Sequence, residues 1–460
     1  MLLYETAKTL EEKMWKMSLN VIWLSFAFFP LLMLIVWGVD PNALYAFLTA
    51  LATASPLWFP LFLFGYLWIS WIHYVRHLYW FNQEWVLLEI QIPPEVEKSP
   101  LAVELFLSSI FHTGSETTFL NRLWQGRFRN TWSLEIASIE GRIGFYLHAR
   151  KAWQSAIEGR LYGQFPEAKI FEVEDYVSKI PYNNDEYDMW CGEYGKAEPQ
   201  AAPIKTWEKF ELGEDLDEPK TRVDPITNIL EVLSNMGKDE YAWVQVIMRA
   251  HAKEDYFGLY RFRDPFKKAA QDAIHKIVKE AAERAKHIAE HELKITDESQ
   301  VAQVVGRGMT MLTEEEKDKI KAIEENMGKF VYECGVRVVY IAKKEQYKGI
   351  TGAFMFRLFD GVKGPFNRLA GILGRGMIGF DYPWEDPLKF RRNRLKNLFY
   401  FHSKHRAYFY VPYDQTPVYL SVEELATLWH FPSTGVDTPG LNRVAAKVSE
   451  APHNLPGLPG

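Results

Sequence analysis

The sequence predicts an α+β protein in which a transmembrane helical hairpin precedes two cytoplasmic units of split βαβ design. Three observations predict it. Two long uncharged apolar runs lie near the start, Leu19–Val39 and Ala43–Ile72. A strand–helix–strand–strand–helix–strand order of patterns follows over residues 85–175. A second order of similar design follows over residues 220–360.

A helix needs about 20 apolar residues to cross a bilayer core. The first run meets that length, and the second exceeds it. The expected membrane segments are residues 19–39 and 52–74, within an anchor of residues 1–84. Pro56 and Pro60 interrupt the second run, so residues 43–56 either cross or lie in the interface. Trp37, Trp68, Trp71, Tyr74 and Trp80 fall at interface depth, as belt aromatics do. Lys8, Lys13 and Lys16 precede the hairpin and His73, Arg76 and His77 follow it, while the loop Gly38–Asn42 has no Lys or Arg. The positive-inside rule then places both termini in the cytoplasm. Residues 1–17 read as an amphipathic lead-in.

The first soluble unit spans residues 85–212. Trp85–Pro93 reads as a strand, and Ser99-Pro100 opens a helix. Thr131–Ala137 and Gly141–His148 alternate and form a hairpin. Arg150–Phe165 is helical, Lys169–Asp175 is a strand, and Met189–Lys196 is a further strand. This order is the ferredoxin-like arrangement, expected in tandem. After the acidic linker Gly213–Pro219, the second unit spans residues 220–360, with strands at Tyr241–Ala252 and Phe330–Ala342. A highly charged helical insertion from Lys267 divides it. Thr313 with Glu316, and Ser421 with Glu424, have capping-box spacing. Residues 361–431 form a basic, aromatic region with a terminal helix. Residues 432–460, rich in Pro and Gly, read as an extended tail.

The 460 residues carry a net charge of −6, which gives no global nucleic-acid signature. Two cysteines, Cys191 and Cys334, build neither a disulfide framework nor a cysteine-based metal site.

The chemistry-bearing patterns are few. A phosphate cradle needs Gly-x-x-x-x-Gly-Lys followed by Ser or Thr, and the chain lacks it. The glycines 361, 364, 371, 374 and 376 read as loop or turn. His287, Glu290 and His291 have inverted-zincin spacing, but they lie in a charge-paired helical stretch with no third ligand in view. No Ser/His/Asp or Cys/His set stands out, so the chain is expected to be no enzyme and to hold no cofactor or metal. Lys389, Arg391, Arg392, Arg394, Lys396, Lys404 and Arg406 are interleaved with aromatics. Clustered cations neutralise phosphates and aromatics stack bases, so this stretch is the candidate contact for nucleic acid or acidic lipid.

Several stretches carry a resemblance. Trp85–Pro94, Ser133–Ile139, Arg142–His148, Gln164–Tyr176, Pro203–Phe210, Val336–Ala342 and Leu420–Pro432 resemble an uncharacterised membrane-anchored domain of candidate-phyla-radiation bacteria. That domain is associated with conjugative type IV secretion ATPases, DNA-pumping relatives of FtsK and HerA. The resemblance implies a non-enzymatic subunit of the bacterial inner membrane, oligomeric, that anchors or positions a separate secretion ATPase supplied by another polypeptide. It would place the docking surface at Leu420, Glu423, Glu424, Leu425, Trp429 and Phe431. The alternative reading is a membrane-anchored nucleic-acid-binding protein that uses residues 389–406.

Overall fold

A computed structural model describes residues 31–93, 98–114, 118, 120–180, 182–212, 224–252, 254–255, 262–288, 312–377, 386, 389–410, 413–432 and 440–442. One antiparallel sheet carries the fold. Its strands are β1 (Trp85–Gln91), β2 (Thr131–Ile139), β3 (Arg142–Arg150), β4 (Lys169–Val173), β5 (Tyr187–Lys196), β6 (Glu240–Ala250), β7 (Val331–Lys343), β8 (Leu369–Gly376) and β9 (Val418–Ser421). The helices used below are α1 (Pro41–Thr53), α2 (Ser55–Phe81), α3 (Leu101–Ser109), α4 (Gln154–Gln164), α5 (Tyr176–Lys179), α6 (Ile226–Ser234), α7 (Pro265–His287), α8 (Glu314–Met327), α9 (Gly349–Phe356), α10 (Phe390–Lys404) and α11 (Val422–Leu428).

The order across the sheet is β8-β5-β7-β6-β2-β3-β1-β4, with β9 also on β7. Both halves run fourth-first-third-second, as β4-β1-β3-β2 and β8-β5-β7-β6. The second strand of each half makes the junction. β2 and β6 pair from Thr131↔Arg249 to Ile139↔Tyr241. The two halves therefore share one continuous sheet, and β5 opens the second half.

Local signals explain these elements. β2 and β3 are joined through Glu140 and Gly141, both at positive φ (52° and 86°). That is the requirement of a two-residue hairpin turn whose twist matches its strands. A Cβ at Gly141 would stand 2.7 Å from the Met236 carbonyl oxygen. Asp264 caps α7 by accepting from the Lys267 amide at 3.0 Å. Reciprocal capping boxes start α8 at Thr313 and α11 at Ser421.

Side chains alternate across the sheet. Trp132, Leu134 and Ile136 of β2 join the core formed with α3, α4, α6, α9 and α11. Ser133, Glu135 and Ala137 lie on the opposite face, which α5, α10 and residues 407–410 cover. β7 is buried from Val331 through Ala342 because both of its faces are covered.

The structure corrects the membrane reading. Among the described residues no helix is long and apolar enough to cross a membrane. This overturns the transmembrane hairpin, the lipid bilayer as a partner and the multi-pass inner-membrane topology with both termini cytoplasmic. Residues 1–17 and 19–30 lie outside the described residues, and residues 31–39 are helical. α1 has 13 residues. At 1.5 Å rise per residue it is about 20 Å long, against a hydrocarbon core of about 30 Å. α2 has 27 residues, but Pro56, Pro60, Tyr66, Trp68, Trp71, His73 and Tyr74 dilute its leucines and phenylalanines. Its end belongs to the folded body, where Val75 is buried and Tyr79 and Trp80 pack on Phe128.

Two smaller expectations also change. The glycine-rich stretch after Gly361 supplies β8, which pairs with β5 through a bulge between Gly371 and Gly376. Within the expected tail, Leu441 bridges to Ile143, while residues 433–439 and 443–460 lie outside the described residues.

Candidate functional site

The site is built where α10 ends over the first half of the sheet. Arg406 sits just beyond α10 at φ 47°, a left-handed conformation costly for a side-chain-bearing residue. That turn folds its guanidinium back onto the sheet. Arg406 Nε and Nη2 donate to the two oxygens of Glu135 at 2.9 and 3.0 Å. Nη2 also donates to Asp175 at 3.0 Å, Nη1 bonds the other Asp175 oxygen, and Nη1 donates to the Lys404 carbonyl at 2.9 Å. Tyr176 donates its hydroxyl to Glu135 at 2.7 Å. Asp175 in turn caps α5 by accepting from the Val177 amide. A charge-assisted fork of this kind fixes both partners in place.

The consequence is positional. Holding Arg406 sets Lys404 and His405 at the rim of a cleft of about 260 Å³. Trp80 and Trp85 wall the cleft, with rings 5.0 Å apart. Trp85 stacks on His148 at 5.1 Å and 10°. Val86, Leu87 and Val173 give it an apolar lining. Arg150 braces the wall, with its guanidinium 4.6 Å from the Phe128 ring and 5.8 Å from that of Trp85.

The titratable groups of the cleft divide into two sets. Its carboxylates are already engaged: Asp175 by Arg406, and Glu172 by Lys151 at 3.4 Å. Its imidazoles meet rings, His148 that of Trp85 and His405 that of Phe401 at 4.4 Å. Burial lowers the pKa of His148, and Arg406 adds to the shift against an opposing Asp175. Burial, Lys404 and Arg406 lower that of His405. Both rings are therefore neutral near pH 7, each able to donate one hydrogen bond and accept one.

The seven cations read from the sequence do not form one surface. Arg406 is buried at 3% exposure. Lys396 is ion-paired with Asp188. The backbone amides of Arg391 and Arg392 bond Asp386. Lys389 and Arg394 are exposed and Lys404 borders the cleft. Interleaving aromatics alternate with the cations because α10 turns Phe399 into the core. The arrangement gives no signal of DNA binding: the cations are not gathered on one surface, and Lys396 and Arg406 already have protein carboxylates.

Five of the six expected docking residues are core, and Phe431 is half-buried. Leu420, Glu424 and Leu425 are fully buried, Glu423 is 4% exposed and Trp429 1% exposed. Phe431 packs on Phe145, Phe165 and Trp429 at 5.1–5.2 Å. Glu424 closes the capping box, pairs with Lys196 at 2.8 Å and accepts from the Ile204 amide at 3.0 Å. These residues tie α11 to the sheet.

Of the inverted-zincin set, His287 ends α7, while Glu290 and His291 lie outside the described residues. Burial raises the pKa of both cysteine thiols, which places them among core groups. Sequence reasoning missed the cleft. Trp80 read as an interface aromatic, and nothing local ties Trp85, His148 and Asp175 to residues 404–406.

Among curated proteins, no match to the chain is found. One protein family does match, over residues 77–357, and it brings no connection to secretion ATPases. That finding, with the absence of a spanning helix among the described residues, removes the reading of this chain as an oligomeric inner-membrane anchor for a type IV secretion or conjugation motor. The match contains the aromatic wall and Asp175, while Lys404 and His405 lie beyond it. It covers more than half of the sequence, and the chain belongs to the family described as a domain of unknown function, DUF8128.

Proposed function

We propose that this chain is a non-enzymatic binding module whose small ligand occupies the cleft between the Trp80–Trp85 wall and the Lys404–His405 rim. One observation carries the reading. Lys404 and two imidazoles converge on a cavity with an aromatic wall, while the carboxylates beside them are held by protein cations. Apolar cavities with a few converging polar groups are where small ligands bind. Binding is favoured over catalysis because, among the described residues, both carboxylates lining the cleft already face protein cations. Asp175 spends its oxygens on Arg406 and the Val177 amide.

The test is a screen of small aromatic compounds against the full chain, by saturation-transfer NMR and thermal shift. A ligand at 100 times its Kd should stabilise the protein by about 2.7 kcal/mol. Binding that disappears in His148→Asn or Lys404→Met, with the compound recovered unchanged, is the expected result. Hits that ignore both substitutions would move the site elsewhere. Conversion of a bound compound would overturn the non-enzymatic half of the proposal.

A further inference from the structure

We propose that the cleft takes a small aromatic monocarboxylate, its carboxylate at Lys404 and His405 and its ring against the apolar lining. This rests on the binding role proposed above and adds the class of ligand.

Charge at the rim comes first. The described ion pairs do not use the Lys404 ammonium, and its residue is only partly buried. Asp175 and Glu172 are the acids of the lining, and each faces a protein cation. Glu135 is fully buried beneath its Arg406 partner and does not line the cleft. Coulomb energy falls with distance, so Lys404, which lines the cleft, acts on a bound group more strongly than Glu135, which does not. The imidazoles report the same field. Among nearby charges, Arg406 acts on His148, and Lys404 and Arg406 act on His405, ahead of Asp175 in both cases.

Shape and hydrogen bonding come next. One cation lining the cleft, in no ion pair among the described residues, suits one negative charge better than the two of a phosphate monoester. Lys404 offers donors, and His405 offers one N–H in its neutral form, which match the two oxygens of a carboxylate. Leu87 and Val173 give a ring an apolar bed. A volume near 260 Å³ is enough to hold a bicyclic acid.

Binding should also take up protons. The charged and titratable groups facing the two rings are Asp175, Glu172, Lys404, Arg406 and the rings themselves. A bound anion favours the imidazolium form, so affinity should rise as pH falls from 8 to 6.

The experiment uses three matched probes with the full chain: 2-naphthoate, 2-naphthamide and 2-naphthylmethylammonium. Affinities are measured by calorimetry at low salt. The expected result is that 2-naphthoate binds about tenfold more tightly than the amide, one charge-assisted hydrogen bond's worth. Lys404→Met should erase that advantage. His405→Asn, which keeps a donor but cannot charge, should remove the pH dependence. Equal or tighter binding of the amide or the ammonium probe would overturn the carboxylate inference and leave the cleft as a binding site. Unchanged 2-naphthoate affinity in Lys404→Met would overturn it as well. Failure of all three probes to bind would overturn both the inference and the binding role.

Discussion

Arg406 and Glu135, 271 residues apart in the chain, are joined by two hydrogen bonds of 2.9 and 3.0 Å beneath the end of α10. Glu135 is fully buried and Arg406 nearly so. Removing one partner of a buried pair leaves an uncompensated charge, at a cost of about 3–5 kcal/mol. Arg406→Met should therefore lower the unfolding free energy by that amount in urea titrations. Arg406→Lys should recover only part, because an ammonium cannot serve Glu135 and Asp175 with one planar fork. Arg394→Glu on the exposed side of the same helix should stay within about 0.5 kcal/mol of the parent.

His251 gives the protein a pH-sensitive joint. Its two ring nitrogens meet Glu333 at 2.9 Å and Asp264 at 3.0 Å, so both must carry protons to donate. Burial opposes the charge, yet the two carboxylates outweigh it and raise the pKa above 6.5. A raised folded-state pKa adds stability that is complete below the unfolded value and is lost as pH climbs through the folded one. Burial also opposes the charge of Asp264, but the Lys267 amide and His251 outweigh it and lower its pKa, so its share is lost on acidification. Melting temperature should fall as pH rises above about 6.5. His251→Asn should flatten that alkaline slope, read by circular dichroism between pH 5.5 and 9. An unchanged slope would remove His251 as its source.

Lys196 and Glu424 pair at 2.8 Å with neither side chain exposed. Glu424→Ala also opens the α11 capping box and strands the Ile204 amide. The expected loss is about 3–5 kcal/mol, and Lys196→Met with Glu424→Leu together should cost less than the sum of the single changes. The exposed pair Lys279–Glu283 at 3.8 Å should contribute no more than about 0.5 kcal/mol. A double-mutant cycle on each pair separates the two cases.

Gly335 lies in β7 beneath the Tyr408 ring, and a Cβ there would enter the ring's volume. Gly335→Ala should displace Tyr408 from the sheet and cost about 1–3 kcal/mol, as overpacking does. Tyr408→Leu should relieve part of that loss by vacating the space. No relief would mean that the backbone, and not the ring, is what requires glycine.

Some features were legible because they are local. Alternation over residues 131–148 and capping pairs at Thr313 and Ser421 fix short-range geometry, and the structure has a hairpin and two capped helices there. The run after residue 43 misled because composition counts apolar residues without asking what they touch. The helix that carries the run continues to Phe81, and its last turn packs Tyr79 and Trp80 on Phe128. The basic stretch misled in the same way, since seven cations in one sequence window include one guanidinium folded inward.

By itself, the sequence determined hairpins, caps and most strands between residues 85 and 343, because caps, turns and alternation act within a few residues; β8 read as loop. Only the tertiary structure decided that both halves share one sheet, that Leu420–Trp429 is core, and that Trp85, His148, Lys404 and His405 meet at one cleft. Such placements depend on strand register and on a buried ion pair between residues hundreds of positions apart. No local pattern in the chain records those contacts.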